Sequence, residues 1–243
     1  MEQAAQDFAQ TYAGLLAWSL TWWSDRGAPG VAEVGDVVAV LRPVMKWTAS
    51  VLLALALVGV GMLLAVRRRG ADLAGAVMGL GRALLVVSAG WLVLASAWSL
   101  GDRLGGWIIG RSAGVQTYTE HVARAAAQAD PLVALMLSIV GVACCLAFAA
   151  VLVVRVILAV VVAAAMPALA AGSLLSARAL RIVGAWAIAV VAFDPLCAVV
   201  YRVGHALVVR AEEPVVVLLV ASVTSFTAAG MLPIAARVAG AAR

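Results

Sequence analysis

Charge is scarce in this 243-residue chain: 12% of residues are charged and 65% are hydrophobic. A soluble domain of ordinary composition is about one quarter charged. With a mean hydropathy of +1.10, there is too little polar surface to cover a globule in water. That excludes a large soluble enzyme domain. Lysine is nearly absent, Lys46 standing against 16 arginines. Together with the abundance of Ala, Val and Gly, this points to a GC-rich bacterial source. Cysteine is limited to Cys144, Cys145 and Cys197, all inside apolar runs. No His or carboxylate stands at ligand spacing from them, so they read as small buried hydrophobes and not as a disulfide or metal site. The start "MEQAAQDFAQ" lacks the basic residues and short apolar core of a signal peptide. There is no Walker motif and no nucleophile–base arrangement. The expectation is therefore a non-enzyme without catalytic residues, cofactor or metal.

What the chain does have is long apolar runs, longer than the roughly 18 residues that mark a spanning helix. Five are expected, at about 44–66, 73–100, 132–165, 182–209 and 215–233. The third stays apolar to about Ala171, interrupted by Arg155 and Pro167. "VLVVRVILAV" has no Gly, Pro, Asn or Asp to turn a hairpin, so one span is expected. Leu132 to Arg155 would cover roughly 34 Å, enough to cross the bilayer. Arg155 would then sit at the far interface, where its stem can snorkel. Pro131 and Pro214 each follow an acid, as at helix starts.

The net charge of +5 first reports orientation. With the "RRR" loop inside, the short inner segments hold Arg67, Arg68, Arg69, Arg178, Arg181, Arg237 and Arg243 against one acid, Asp72. The outer segments hold most of the acids. The positive-inside rule then places the N-terminus outside and the C-terminus in the cytoplasm. Arg82 and Arg155 are expected near the inner surface. The fold class is thus all-α: a polytopic helical bundle of the bacterial inner membrane, its transmembrane domain over 44–243.

Residues 1–43 form an outer aromatic segment. Phe8, Tyr12, Leu15 and Trp22 share one helical face, suited to the membrane interface. Trp18, Trp22 and Trp23, with Trp107 further on, are candidates for docking an extracytoplasmic partner. The outer loop is expected over 101–131. It opens with the Gly-rich "GDRLGGWIIGRSAG", which has no preceding strand and so is not a dinucleotide fingerprint. In it Thr117 and Glu120 would form the capping box of a short helix ending near Gln128.

The fourth run carries "AFDPLCAVVYRVGHALVV". Asp194 falls near mid-membrane, and Pro195 removes one helical donor. Tyr201 and His205 lie within about 20° of Asp194 on the helix, and Arg202 about 80° away. A charge at this depth costs at least about 2.5–3.5 kcal/mol, so the face belongs in a bundle, a subunit interface or a conduit. Asp194 and Arg202 are candidates to pair across a kink or with a neighbouring subunit.

The order of features resembles a family. A "GD" and a Gly/Trp loop follow the second run; then come "VVRVILAVVVAAAMPALAAG", the basic "ARALRIVGAW" and "DPLCAVVYRVG". This is similar, over nearly the whole chain, to the TrbL-like polytopic inner-membrane subunit of type IV secretion and conjugation machines in high-GC bacteria. In that family the residue before the proline is often lysine; here it is Asp194. The resemblance implies a membrane-embedded, ring-forming homo-oligomer that works as a channel component. Its partners would be secretion ATPases on the cytoplasmic side and extracytoplasmic channel proteins, and it would pass a DNA or protein substrate. The alternative is a small ion- or proton-coupled transporter using Asp194.

Overall fold

A computed structural model describes residues 7, 8, 10–18, 35–40, 43, 47, 48, 50, 51, 54, 55, 58, 61, 62, 70–110, 113–172 and 177–241. Nearly all of these are helical, and none lies in a strand. Among the described residues five long helices follow one another: α1 (Gly70–Ile109), α2 (Ala113–Gln128), α3 (Pro131–Gly172), α4 (Ala177–Arg210) and α5 (Pro214–Ala241). Before them, residues 10–18 form a short helical segment. Most of the first expected span, 44–66, and Trp22 and Trp23 lie outside the described residues.

Within the described residues three helical stretches are long and apolar enough to cross a membrane: Pro131–Met166, Arg181–Arg210 and Pro214–Gly240. They match the third, fourth and fifth apolar runs. The third run forms one uninterrupted helix of 42 residues, about 63 Å long. That is roughly twice the thickness of a hydrocarbon core. At its start Asp130 accepts hydrogen bonds on Oδ1 from the amides of Leu132 (2.9 Å) and Val133 (3.5 Å). Pro131 takes the first helical position, where a missing N–H costs nothing.

Two stretches differ from expectation. The helix of the second apolar run does not stop at Leu100 but continues as α1 to Ile109. Helix α2 starts at Ala113, so Thr117 lies inside it and not at an N-cap. Between the two, Gly110 adopts φ +74°, and its amide donates to the Trp107 carbonyl at 3.2 Å. Glycine enters this left-handed conformation without Cβ strain, which ends α1.

The chain divides into two compact units. One comprises 1–28, 100–155 and 192–235; the other comprises 29–99, 156–191 and 236–243. Among the described residues the second unit has an apolar core, with Val38, Leu94, Trp98, Ala159, Val162, Ala163, Ala187 and Val190 buried together. The first unit buries polar groups as well: Ser138, Arg155, Asp194, Ser222, Thr224 and Ser225. Three of its hydroxyls fold back onto their own helix, Ser222 to the Leu218 carbonyl, Thr224 to Val220 and Ser225 to Ala221. This is how a hydroxyl is satisfied where no water reaches it.

In the first unit α4 and α5 meet at Gly204, where a Cβ would collide with the Thr224 side chain. Close approach through a small residue is the usual means of packing apolar helices. Gly204→Ala is expected to cost about 1–3 kcal/mol through overpacking. Thr224→Ala in the same chain should recover most of it. Thermal unfolding in detergent checks this; an unshifted midpoint for Gly204→Ala would refute the tight fit.

Candidate functional site: a buried ion pair between long helices

Arg155 on α3 and Asp194 on α4 form a bidentate ion pair. Nη1 donates to Oδ1 at 2.6 Å and Nη2 to Oδ2 at 2.5 Å. Arg155 is 1% exposed and Asp194 2%. The planar fork of the guanidinium matches the carboxylate, the geometry in which such pairs are strongest. The guanidinium carbon also lies 5.3 Å from the centre of the Phe193 ring, a cation–π contact. Phe193 stacks on Phe148 at 6.2 Å, and Phe148 meets Tyr201 edge-on at 5.8 Å. The carboxylate is therefore held by an arginine that itself lies over an aromatic ring.

The last turns of α1 complete the site. Asp102 Oδ1 lies 3.8 Å from Arg155 Nη2, with the Asp102 side chain 40% exposed. At Gly105 a Cβ would stand 3.4 Å from the backbone and Cβ of Asp194, so α1 passes close to α4 at this point. Gly101 is buried as well, four residues earlier on the same face. One guanidinium thus faces two carboxylates. The three groups carry one excess negative charge when all are ionised.

The expected site residues are placed as follows. Asp194 and Tyr201 are both buried. Asp194 pairs with Arg155, not with Arg202. Arg155 is enclosed by protein and does not snorkel to a surface. Pro195 lies inside continuous α4. Arg202 is exposed, and His205 is half-buried with its ring stacked on Tyr118 at 6.1 Å. Arg82 lies on α1. Trp107 is 80% exposed and Trp18 is exposed too.

Tyr12, expected at the membrane interface, is fully buried in the first unit. Its hydroxyl is 3.4 Å from Ser222 Oγ on α5, and its ring lies against the backbone of α3 at Gly141. Burial holds the Tyr12 phenol well above the usual phenol range, partly offset by the Ser222 hydrogen bond. Burial raises Tyr118 likewise. Both phenols stay neutral and act as hydrogen-bonding packing groups.

Of the cysteines, Cys145 Sγ faces Ser225 Oγ at 3.9 Å and Cys197 Sγ the Ala228 carbonyl at 3.6 Å; all three are free thiols. Among the described residues no group of three His, Cys, Asp or Glu side chains is arranged to hold a metal.

Among the described residues these features define an all-helical protein with three helices fit to cross a membrane and a charged pair sealed between two of them. Neither a known protein family, nor a curated protein, nor a solved structure matches the chain.

Proposed function

We propose that the chain is a non-enzymatic, multi-pass subunit of the bacterial inner membrane. On this reading it crosses about five times, from an outer N-terminus to a cytoplasmic C-terminus. It serves as a scaffold or channel component of a type IV secretion machine for conjugative transfer. The resemblance to TrbL-like subunits supplies the machine. One observation carries the choice of a passive role: Asp194 is clamped by Arg155 at both oxygens and enclosed. A carboxylate held this way pins helices together and is not open to a passing ion. The broad exposed apolar faces, such as Met136, Ile139, Leu146 and Val153 on α3, suit lipid or neighbouring subunits.

A second reading has one observation of its own. Asp102 is a partly exposed carboxylate beside the same arginine. In an ion- or proton-coupled transporter, Arg155 would release one acid as it engaged the other.

Native mass spectrometry of the full chain extracted from its own membranes tests the choice. A closed homo-oligomer, or co-purification with an ATPase and outer channel proteins, is the expected result. A monomer whose proteoliposomes carry an ion or proton flux abolished by Asp194→Asn would overturn the scaffold and install the transporter.

A further inference from the structure

A second polar cluster sits apart from the ion pair, in the same unit. Ile109, Gly114, Val115, Tyr118, Tyr201, Arg202 and His205 line a cavity of about 20 Å³. It lies where α1 ends and α2 begins. Almost everything polar around it donates or is cationic. Arg202 makes no ion pair or hydrogen bond among the described residues, although it is an exposed guanidinium at the cavity mouth. The His205 Nε2 atom is buried and has no hydrogen-bond partner. A second imidazole, His121, stands near His205 on the α2 side. Its Nδ1 is 2.7 Å from the Thr117 carbonyl. The phenols of Tyr118 and Tyr201 complete the wall.

The backbone adds to this. Gly114 and Val115 belong to the first turn of α2, whose leading amides have no partner within the helix. That turn contains no acid to occupy them. The cavity thus gathers the Arg202 guanidinium, an imidazole nitrogen with no hydrogen-bond partner among the described residues and the positive end of a helix, and none of its lining residues carries a carboxylate. The bare arrangement leaves one guanidinium and the positive end of a helix unbalanced, which an anion would neutralise. Its volume admits one oxygen-sized group, a water needing roughly 10–15 Å³ on the same measure. A tetrahedral oxyanion would put one oxygen inside and leave the rest beside Arg202.

We infer that this cavity binds a phosphate-type oxyanion, with Arg202 and His205 as its side-chain ligands and the first turn of α2 as its backbone donor. The chemistry is shared by the headgroup of an anionic phospholipid and by free phosphate.

The experiment uses the detergent-purified full chain and two probes. Inorganic phosphate is titrated calorimetrically. Phosphatidylglycerol is scored against phosphatidylcholine by native mass spectrometry. Saturable binding of at least one probe is expected. Arg202→Gln and His205→Asn should each weaken it about tenfold, as for loss of a charge-assisted hydrogen bond. Binding in the phosphate arm identifies a soluble ion as ligand. Retention of phosphatidylglycerol over phosphatidylcholine, without phosphate binding, identifies a lipid headgroup. Arg202→Lys retains the charge and should recover part of the loss, and melting midpoints of the variants report that they fold. Binding of neither probe, or binding unchanged in both Arg202→Gln and His205→Asn, would overturn the site and leave a cavity that holds water only.

Discussion

Arg155→Ala should destabilise the protein more than Asp194→Ala, although the two residues form one ion pair. Breaking a buried pair by removing one partner typically costs about 3–5 kcal/mol, because the remaining charge is left buried and uncompensated. Here the two removals leave different remainders. Without Asp194, Arg155 still has Asp102 at 3.8 Å. That carboxylate already lies beside the guanidinium and should absorb part of the loss, less its own desolvation cost on moving closer. Without Arg155, two carboxylates remain near one another with no cation between them. Asp194→Ala is therefore expected at or below the lower end of that range, and Arg155→Ala at or above its upper end. Asp102→Ala alone should cost little. Added to Asp194→Ala, it should cost markedly more than it does alone, a coupling of about 0.5–3 kcal/mol. The apolar replacement Arg155→Met with Asp194→Leu should restore most of the stability, since a buried ion pair seldom outperforms well-packed hydrophobes. Detergent melting curves of this series decide the matter. Equal losses for Arg155→Ala and Asp194→Ala, with strict additivity of Asp102→Ala, would show that Asp102 plays no part.

The same triad bears on how the helices are placed in depth. The sequence reading puts Asp194 near mid-membrane and Asp102 in an outer loop. Residues that share one guanidinium cannot lie at opposite depths. Either the last turns of α1 dip into the apolar layer, or the pair lies nearer the outer surface than the count along α4 suggests. The uninterrupted length of α3, about twice a hydrocarbon core, leaves room for either.

How much of this was legible in the sequence follows from which forces act locally. Helix type, the long third run and the Asp130–Pro131 start depend on composition and on neighbours within a few residues, and all three could be read. The partner of Asp194 could not. Helical geometry ranks only residues on the same helix, and it offered Arg202; the true partner lies 39 residues back on another helix. The extension of α1 was hidden because "GDRLGG" has the composition of a loop. One signal was there to find: Gly101 and Gly105 form a small-xxx-small pair with Asp102 beside it. That is the pattern of a helix face built for close approach around a polar contact. Amphipathic aromatic helices favour the membrane interface, yet for Tyr12 a ring-sized seat at Gly141 on a distant helix overrides that preference.

That seat supports the other large expected effect. A Cβ at position 141 would come within 2.5 Å of two carbons of the Tyr12 ring. Real Cβ contacts do not occur at such distances, so Gly141→Ala must push the ring away, and Gly141→Leu must expel it. Tyr12→Ala leaves the same hole from the other side, a loss of about 3–5 kcal/mol for a large buried aromatic. Leu16, also fully buried one turn on, is the only other deeply buried side chain described in that segment. The segment is short, and among its described residues only Tyr12 and Leu16 are fully buried. The loss should therefore appear as local release of residues 7–18 and not as global unfolding. Hydrogen exchange across these residues should rise by orders of magnitude in Gly141→Leu and Tyr12→Ala, while α3 and α5 keep their protection. Tyr12→Phe, which removes only the long 3.4 Å contact to Ser222, should change exchange little. The pH dependence has a definite sign. The buried phenol is raised above its unfolded value, so the folded seat favours the protonated form. Its contribution is complete below about pH 10, the ordinary phenol value, and declines as pH rises beyond it. Release of the segment should therefore be promoted by alkali in the parent chain and insensitive to it in Tyr12→Phe. Unchanged exchange in Gly141→Leu would mean that Tyr12 does not occupy this seat.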